Sequence, residues 1–192
     1  MAVNIVEEIQ KTLGIEGLQK IDPNTQEVKR PENITAENYI WQAAIPTVLL
    51  GLYKFSGDET GNAAIVKDTL SSDLLGNIFD GKKEAIIERV ANYTGNSAEY
   101  AAGKMELVAD AAIDLIQKNI TGDVSDGAVK AFLINQRNNI LVYLPAELQL
   151  GKILDDNTID DRTNKMEGPM SSNMHWLEKF FPSTDRKKEE NW

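Results

Sequence analysis

The chain has no cysteine among its 192 residues. That excludes disulfides, thiolate-bound zinc and cysteine nucleophiles, and it suits a reducing compartment. Histidine is almost as scarce: His175 stands alone, so the Glu-X-X-His pairs of a di-metal helical bundle cannot be assembled. Basic charge is outnumbered, with 20 lysine and arginine side chains against 30 acidic ones and a net charge of −10. Nucleic-acid affinity rests on neutralising phosphates with clustered cations. The one tight basic cluster, Arg186-Lys187-Lys188, runs straight into Glu189-Glu190, so nucleic acid is not expected as a partner. Long apolar runs are missing too. The longest, Tyr39 to Phe55, is interrupted by Gln42, Pro46, Thr47 and Gly51. A spanning helix needs about 20 mostly apolar residues, so this stretch reads as a buried core helix. Met1 to Gln10 carries Asn4, Glu7 and Glu8 and no basic region ahead of an apolar one. It does not read as a signal peptide, and a cytoplasmic location is expected. Phosphate-binding glycine loops, nucleophile elbows and dinucleotide fingerprints are likewise missing, so no catalytic residue, metal or cofactor is assigned.

What the chain does contain is helix. Ile5, Ile9 and Leu13 recur at i, i+4, i+8 and Gly14 follows as a stop, which predicts a short amphipathic helix over 2–13. Between 15 and 33 the pattern changes. Leu18 to Ile21 and Gln26 to Val28 flank Asp22-Pro23-Asn24-Thr25, where a turn suits the proline and a small hairpin or ordered loop is expected. Thr35 reads as an N-cap with Glu37 in the first turn. The helix from 36 to 55 carries Pro46 in its interior, so a kink or break near 43–46 is predicted. Further helices are predicted over 62–70, through Leu74, Leu75, Ile78 and Phe79, and over 82–94 with Gly95 as its left-handed end. A long helix starts at Asn96 or Ser97 and ends near Gly122. Its seam of Ala101, Met105, Val108, Ala112 and Leu115 keeps a 4-3-4-3 spacing suited to packing between helices. Ser125 opens a helix with Val129, Phe132, Leu133, Ile140 and Tyr143 facing inward until Pro145, and a last helix covers 147–154. The fold class is all-α: a compact multihelical array of about seven or eight helices with a kinked, Pro-containing core helix and a C-terminal extension. A chain of this length can bury about 70% of its unfolded surface. The expected organisation is an N-terminal helix and hairpin-like arm over 1–33, a helical core over 34–154 and a docking segment over 155–192.

Four parts of this series carry a family resemblance: Ile45-Pro46 through Gly51, Leu74-Leu75-Gly76, Val90-Ala91-Asn92-Tyr93-Thr94-Gly95, and Ser97 through Ala101. In that order they resemble the YidB-like family of small bacterial helical proteins, over residues 40–122. The glycine-rich central spacer of that family is absent, and Ala109-Asp110-Ala111 stands where its final helix commonly has a proline. The resemblance implies a multihelical fold. It carries no catalytic residue across, because the family has no established activity.

Side chains with chemical potential are few. Glu99, Glu106, Asp110 and Asp114 share one face of the long helix, where like charges four apart repel; this reads as a solvated acidic face and only weakly as a metal site. Asp156, Thr158, Asp160 and Glu167 follow a calcium-loop spacing, but position 6 is Asp161 where glycine is required. Asp160-Asp161-Arg162 and Lys165 fit better as a polar network pinning this loop to the body, or as simply solvated side chains. Gln136, Arg137, Asn138 and Asn139 form a polar patch that reads as a solvent-facing turn, or else as a pocket wall.

The segment after Leu154 is the strongest functional candidate. Met170, Met174, Leu177 and Phe181 lie at i, i+4, i+7, i+11, with Trp176 and Phe180 as a second edge and Trp192 at the end. Aromatic and methionine side chains at helical spacing are what groove-docking segments are made of. The plainer and favoured reading of the stripe is that it packs on its own body as a final helix; docking onto a second chain comes next, and a membrane surface last, because the segment has little basic charge. A non-enzymatic protein acting through protein–protein contacts, or as a homo-oligomer, is the primary expectation. The alternative is a small-molecule or lipid-binding domain with a cavity between helix 36–55 and the Ala101 to Leu115 seam.

Overall fold

The computed structural model describes residues 3–21, 30, 32, 34–57, 59–120 and 127–160. Among them no strand occurs. Seven helices have six residues or more: α1 (Ile5–Leu13), α2 (Ala36–Phe55), α3 (Glu59–Val66), α4 (Leu74–Phe79), α5 (Lys83–Thr94), α6 (Ala98–Asn119) and α7 (Ala128–Leu141). Two shorter ones, α8 (Leu150–Leu154) and α9 (Asn157–Asp160), follow a 3-10 turn at Ala146–Leu148.

The helix α2 is the axis of the molecule. Every residue from Tyr39 to Leu52 except Trp41 is buried, and α1, α4, α5, α6, α7 and α8 all pack around it. A helix apolar on every side has to be surrounded. Pro46 lies inside α2 and does not interrupt it, so the predicted break does not occur. Interior proline costs roughly 3 kcal/mol. That is small beside burial of Ile40, Ile45, Val48, Leu49, Leu50 and Leu52, all fully inaccessible, at about 1.5–3 kcal/mol each. Gly51 is required by close approach: a Cβ there would run into the Phe79 ring and Ile78 of α4.

The caps read from the sequence are in place at four helices. The Thr35 side chain accepts from Asn38 N at 3.3 Å, Ser97 from Tyr100 N at 3.2 Å, and Gly14 and Gly95 take left-handed φ of 64° and 74°. The seam of α6 is buried at Ala101, Met105, Val108 and Ala112, with Leu115 packed at its edge.

Several boundaries differ from expectation. Helix α3 spans Glu59–Val66 instead of 62–70, because the chain turns at Asp68, with φ 52°, and Thr69 N bonds back to Ala64 O at 3.1 Å. Between α4 and α5 the chain passes through a 3-10 turn, Asp80–Lys82, rather than stopping at Gly81. Helix α7 starts at Ala128 with Gly127 in the cap position; Ser125, its expected start, lies outside the described residues. Tyr143 is buried beyond the end of α7, and Phe132 is only partly buried. The packed body also runs past Leu154: Ile159 in α9 is fully buried, and Arg137 Nη2 on α7 donates to the Thr158 carbonyl at 2.8 Å.

Candidate functional site

The seven docking candidates Met170, Met174, Trp176, Leu177, Phe180, Phe181 and Trp192 lie outside the described residues, as do Asp161, Arg162, Lys165, Glu167 and His175. The described body shows what surrounds them in sequence and what surfaces it offers.

After α1 the chain continues as an irregular arm, residues 15–21, whose Ile21 amide donates to Val142 O at 2.9 Å. Three buried glutamines fasten the N-terminal region through main-chain atoms. Gln10 accepts from Leu18 N at 2.8 Å and donates to Val6 O at 3.2 Å. Gln42 on α2 accepts from Gln19 N at 2.8 Å, and its amide donates to the carbonyls of Gln19 at 3.0 Å and Tyr143 at 2.9 Å. Gln136 on α7 accepts from Ile5 N at 3.1 Å and donates to Val3 O at 2.8 Å. A buried amide without partners is costly; these are satisfied by backbone groups. Gln136 is therefore a structural hub, contrary to the solvent-facing reading of its patch. Its neighbour Asn139 donates to it at 3.1 Å, and Arg137 holds Thr158.

Between the arm and α2 opens a cleft of about 470 Å³. Leu13, Ile15 and Leu18 form one wall, and Tyr39, Trp41 and Gln42 form the other, with Ile34 at the margin. Its aromatic wall is held from behind. The Tyr39 and Tyr93 hydroxyls are 2.8 Å apart, and burial pushes both phenols above their ordinary range. The Lys104 ammonium sits 5.2 Å from the Trp41 ring centroid and 5.1 Å from that of Tyr100, within cation–π range. The cleft is not where a cavity was expected. Ile45, Val48 and Leu49 of α2 are fully buried, as are Met105, Val108 and Ala112 of α6.

The acidic candidates disperse. Glu99 and Asp110 are exposed, and Asp114 pairs with Lys118 at 3.2 Å. Glu106 turns to α4 and accepts from Leu75 N at 3.2 Å. Nearby Asp73 accepts from Gly76 N at 2.9 Å and pairs with Lys83 at 2.7 Å. Burial raises the Glu106 carboxyl above its ordinary value, and the Lys83 hydrogen bond lowers that of Asp73. Asp156 caps α9, accepting from Thr158 N at 3.1 Å. Among the described residues no group of three acidic or imidazole side chains could hold a metal ion, and no helix is long and apolar enough to cross a membrane.

Sequence reasoning missed the three glutamines and the cleft. The available signal was an amide inside an apolar run, Gln42 after Trp41 and before Ala43, which marks a buried polar contact in want of a partner. What this arrangement offers chemically is an aromatic-walled recess beside a firmly bonded backbone. No family model, curated protein or solved structure matches the chain.

Proposed function

We propose that this protein is a non-enzymatic helical module, cytoplasmic, that acts through protein–protein contacts or self-assembly. Its body is residues 3–160, and its docking side chains are Met170, Met174, Trp176, Leu177, Phe180, Phe181 and Trp192. One observation carries the reading. Among the described residues, Leu107 and Ile134, each 49% accessible, are the exposed large hydrophobics, and the rest of the apolar set is packed. The sequence adds seven further apolar and aromatic side chains, Met170, Met174, Trp176, Leu177, Phe180, Phe181 and Trp192, and anchors of this kind are what interfaces use. The resemblance of residues 40–122 to the YidB-like family supports the same reading, since it implies a helical body and no catalytic residue.

The test is mass by light scattering over a concentration series, on the full chain and on a chain ending at Asp160, which keeps Ile159 and the Thr158 contact. The full chain is expected to gain mass with concentration and the shortened chain to stay monomeric with an unchanged cooperative melt. Equal masses for the two, with no loss of partner capture on shortening, would remove the tail from the function.

A further inference from the structure

We propose that Asp80 and Gly81, at the junction of α4 and α5, form a site of self-modification, where the folded backbone drives closure of the Asp80 side chain onto the Gly81 nitrogen and converts Asp80 to isoaspartate.

The backbone of Asp80 has a φ of 48° and a ψ of −138°. That combination lies outside the regions open to residues with a Cβ, and glycine adopts it far more readily. The fold holds it in place. The Asp80 amide donates to Gly76 O at the end of α4, and its carbonyl accepts from the Lys83 amide at the start of α5. Phe79, just before it, is buried and packs so close to Gly51 that a Cβ there would collide with its ring. The junction cannot swivel without unseating α4 from α2. Strain that persists because its surroundings over-determine it clusters at functional positions.

What this strain aligns is a nucleophile and a carbonyl carbon. About the Cα–C bond of an L-residue, Cβ is offset from N by about 120°. A ψ of −138° therefore leaves the Gly81 nitrogen within roughly 20° of eclipsing Asp80 Cβ. Closing a five-membered ring through Cγ requires nearly that eclipsed arrangement, and holding it replaces a chance encounter with a near-attack geometry. Asp155 supplies the contrast. Its φ is also positive, at 53°, but its ψ of 46° turns the following nitrogen to the far side of Cβ. The Asp80 carboxylate is exposed, and among the described residues no hydrogen bond or ion pair holds it. The neighbouring ammonium groups are engaged elsewhere, Lys82 with Asp155 and Lys83 with Asp73. Gly81 is exposed too, and has no side chain to shield its nitrogen.

The step needs no co-reactant but water. Gly81 N attacks Asp80 Cγ; the N–Cγ bond forms, one Cγ–O bond of the carboxylic acid breaks, and the nitrogen's proton leaves with that oxygen as water. The cyclic imide then takes up water. Addition at Cγ restores aspartate. Addition at the α-carbonyl carbon leaves the main chain running through Cγ, one methylene longer, with the former α-carbonyl as a free carboxylate. That carbonyl is the acceptor of the Lys83 amide, so the first turn of α5 loses its anchor and the α4–α5 junction loosens as the protein ages.

The test incubates the full chain in mildly acidic buffer, folded and in concentrated urea. Isoaspartate at position 80 is measured by enzymatic methylation and by chromatography and mass spectrometry of the proteolytic peptide. Asp126 and Gly127, the other Asp-Gly pair in the sequence, calibrate the unfolded rate. Folding ordinarily slows this reaction; here the folded chain is expected to react several-fold faster than the unfolded one. Gly81→Ala is the matching variant. A Cβ at that position meets nothing within 4 Å, so the fold is kept while the methyl crowds the attacking nitrogen, and the folded rate should drop several-fold. A folded chain no faster than the unfolded one, or a folded rate unmoved by Gly81→Ala, would overturn the proposal.

Discussion

Gln42 and Gln19 bond as neighbouring strands do: the Gln42 side-chain carbonyl accepts the Gln19 amide at 2.8 Å, and its amide group donates to the Gln19 carbonyl at 3.0 Å. One side chain of α2 thus stands in for a stretch of partner backbone. It also donates to Tyr143 O at 2.9 Å, tying the arm, the central helix and the end of α7 at a single point.

Gln42→Leu fits the apolar surroundings of α2 but orphans three main-chain groups. Unpaired buried groups cost roughly 1–3 kcal/mol each, partly relieved as the arm moves toward water. A net loss of about 3 kcal/mol is expected in urea unfolding. Unchanged stability would mean that the arm contributes little to the fold.

Thr47 presents the opposite case. It is fully buried on α2, and its hydroxyl has no hydrogen-bond partner. Thr47→Val replaces that hydroxyl with a methyl of similar shape and should stabilise by about 1 kcal/mol. Thr47→Ser keeps the unpaired hydroxyl and loses a methyl, so it should destabilise. Denaturant midpoints of the pair separate the two effects.

Two glycines differ in what an added methyl meets. At Gly51 the obstacles are the side chains of Phe79 and Ile78; at Gly61 the obstacle is the backbone carbonyl of Phe55. Side chains can adjust and backbone cannot, so Gly61→Ala should cost more than Gly51→Ala. The latter is expected near the 1–3 kcal/mol of ordinary overpacking. Thermal melts of both variants check the order.

The α4 cap predicts a pH signature with two opposed parts. Asp73, whose carboxyl is lowered first by Lys83, contributes stability that is present at neutral pH and lost as pH falls through its folded pKa. Glu106, raised first by burial, works the other way: the folded state holds its proton longer, so stability falls as pH rises from the ordinary glutamate value through the raised one. Glu106→Gln should therefore melt higher than wild type at neutral pH, with the gain vanishing in acid. Asp73→Asn should melt lower at neutral pH, with its deficit vanishing in acid. Melting temperature against pH for both variants gives the test.

The features legible in the sequence are those that depend on near neighbours. Thr35, Ser97, Gly14 and Gly95 end helices through atoms within a turn of themselves, and the α6 seam is a matter of spacing alone. What was not legible depends on partners far along the chain. The continuity of α2 through Pro46 follows from the helices packed around it, which spacing does not show. The inward turn of Glu106 needs Leu75 in place, and the burial of Gln136 needs Val3 and Ile5. The cleft could not be read because one wall comes from the arm and the other from α2.

Helix α7 begins at Gly127, which has no side chain to cap it. The missing acceptor is supplied by Asn62 of α3, whose Oδ1 takes the Val129 amide at 3.0 Å across 67 positions of sequence. A local cap can form as soon as its helix does, whereas this one waits for a loop of that length to close. The first turn of α7 is thus completed only on assembly with α3. That makes its order in time a consequence of topology, and the N-terminus of α7 a late reporter of whether the body has come together.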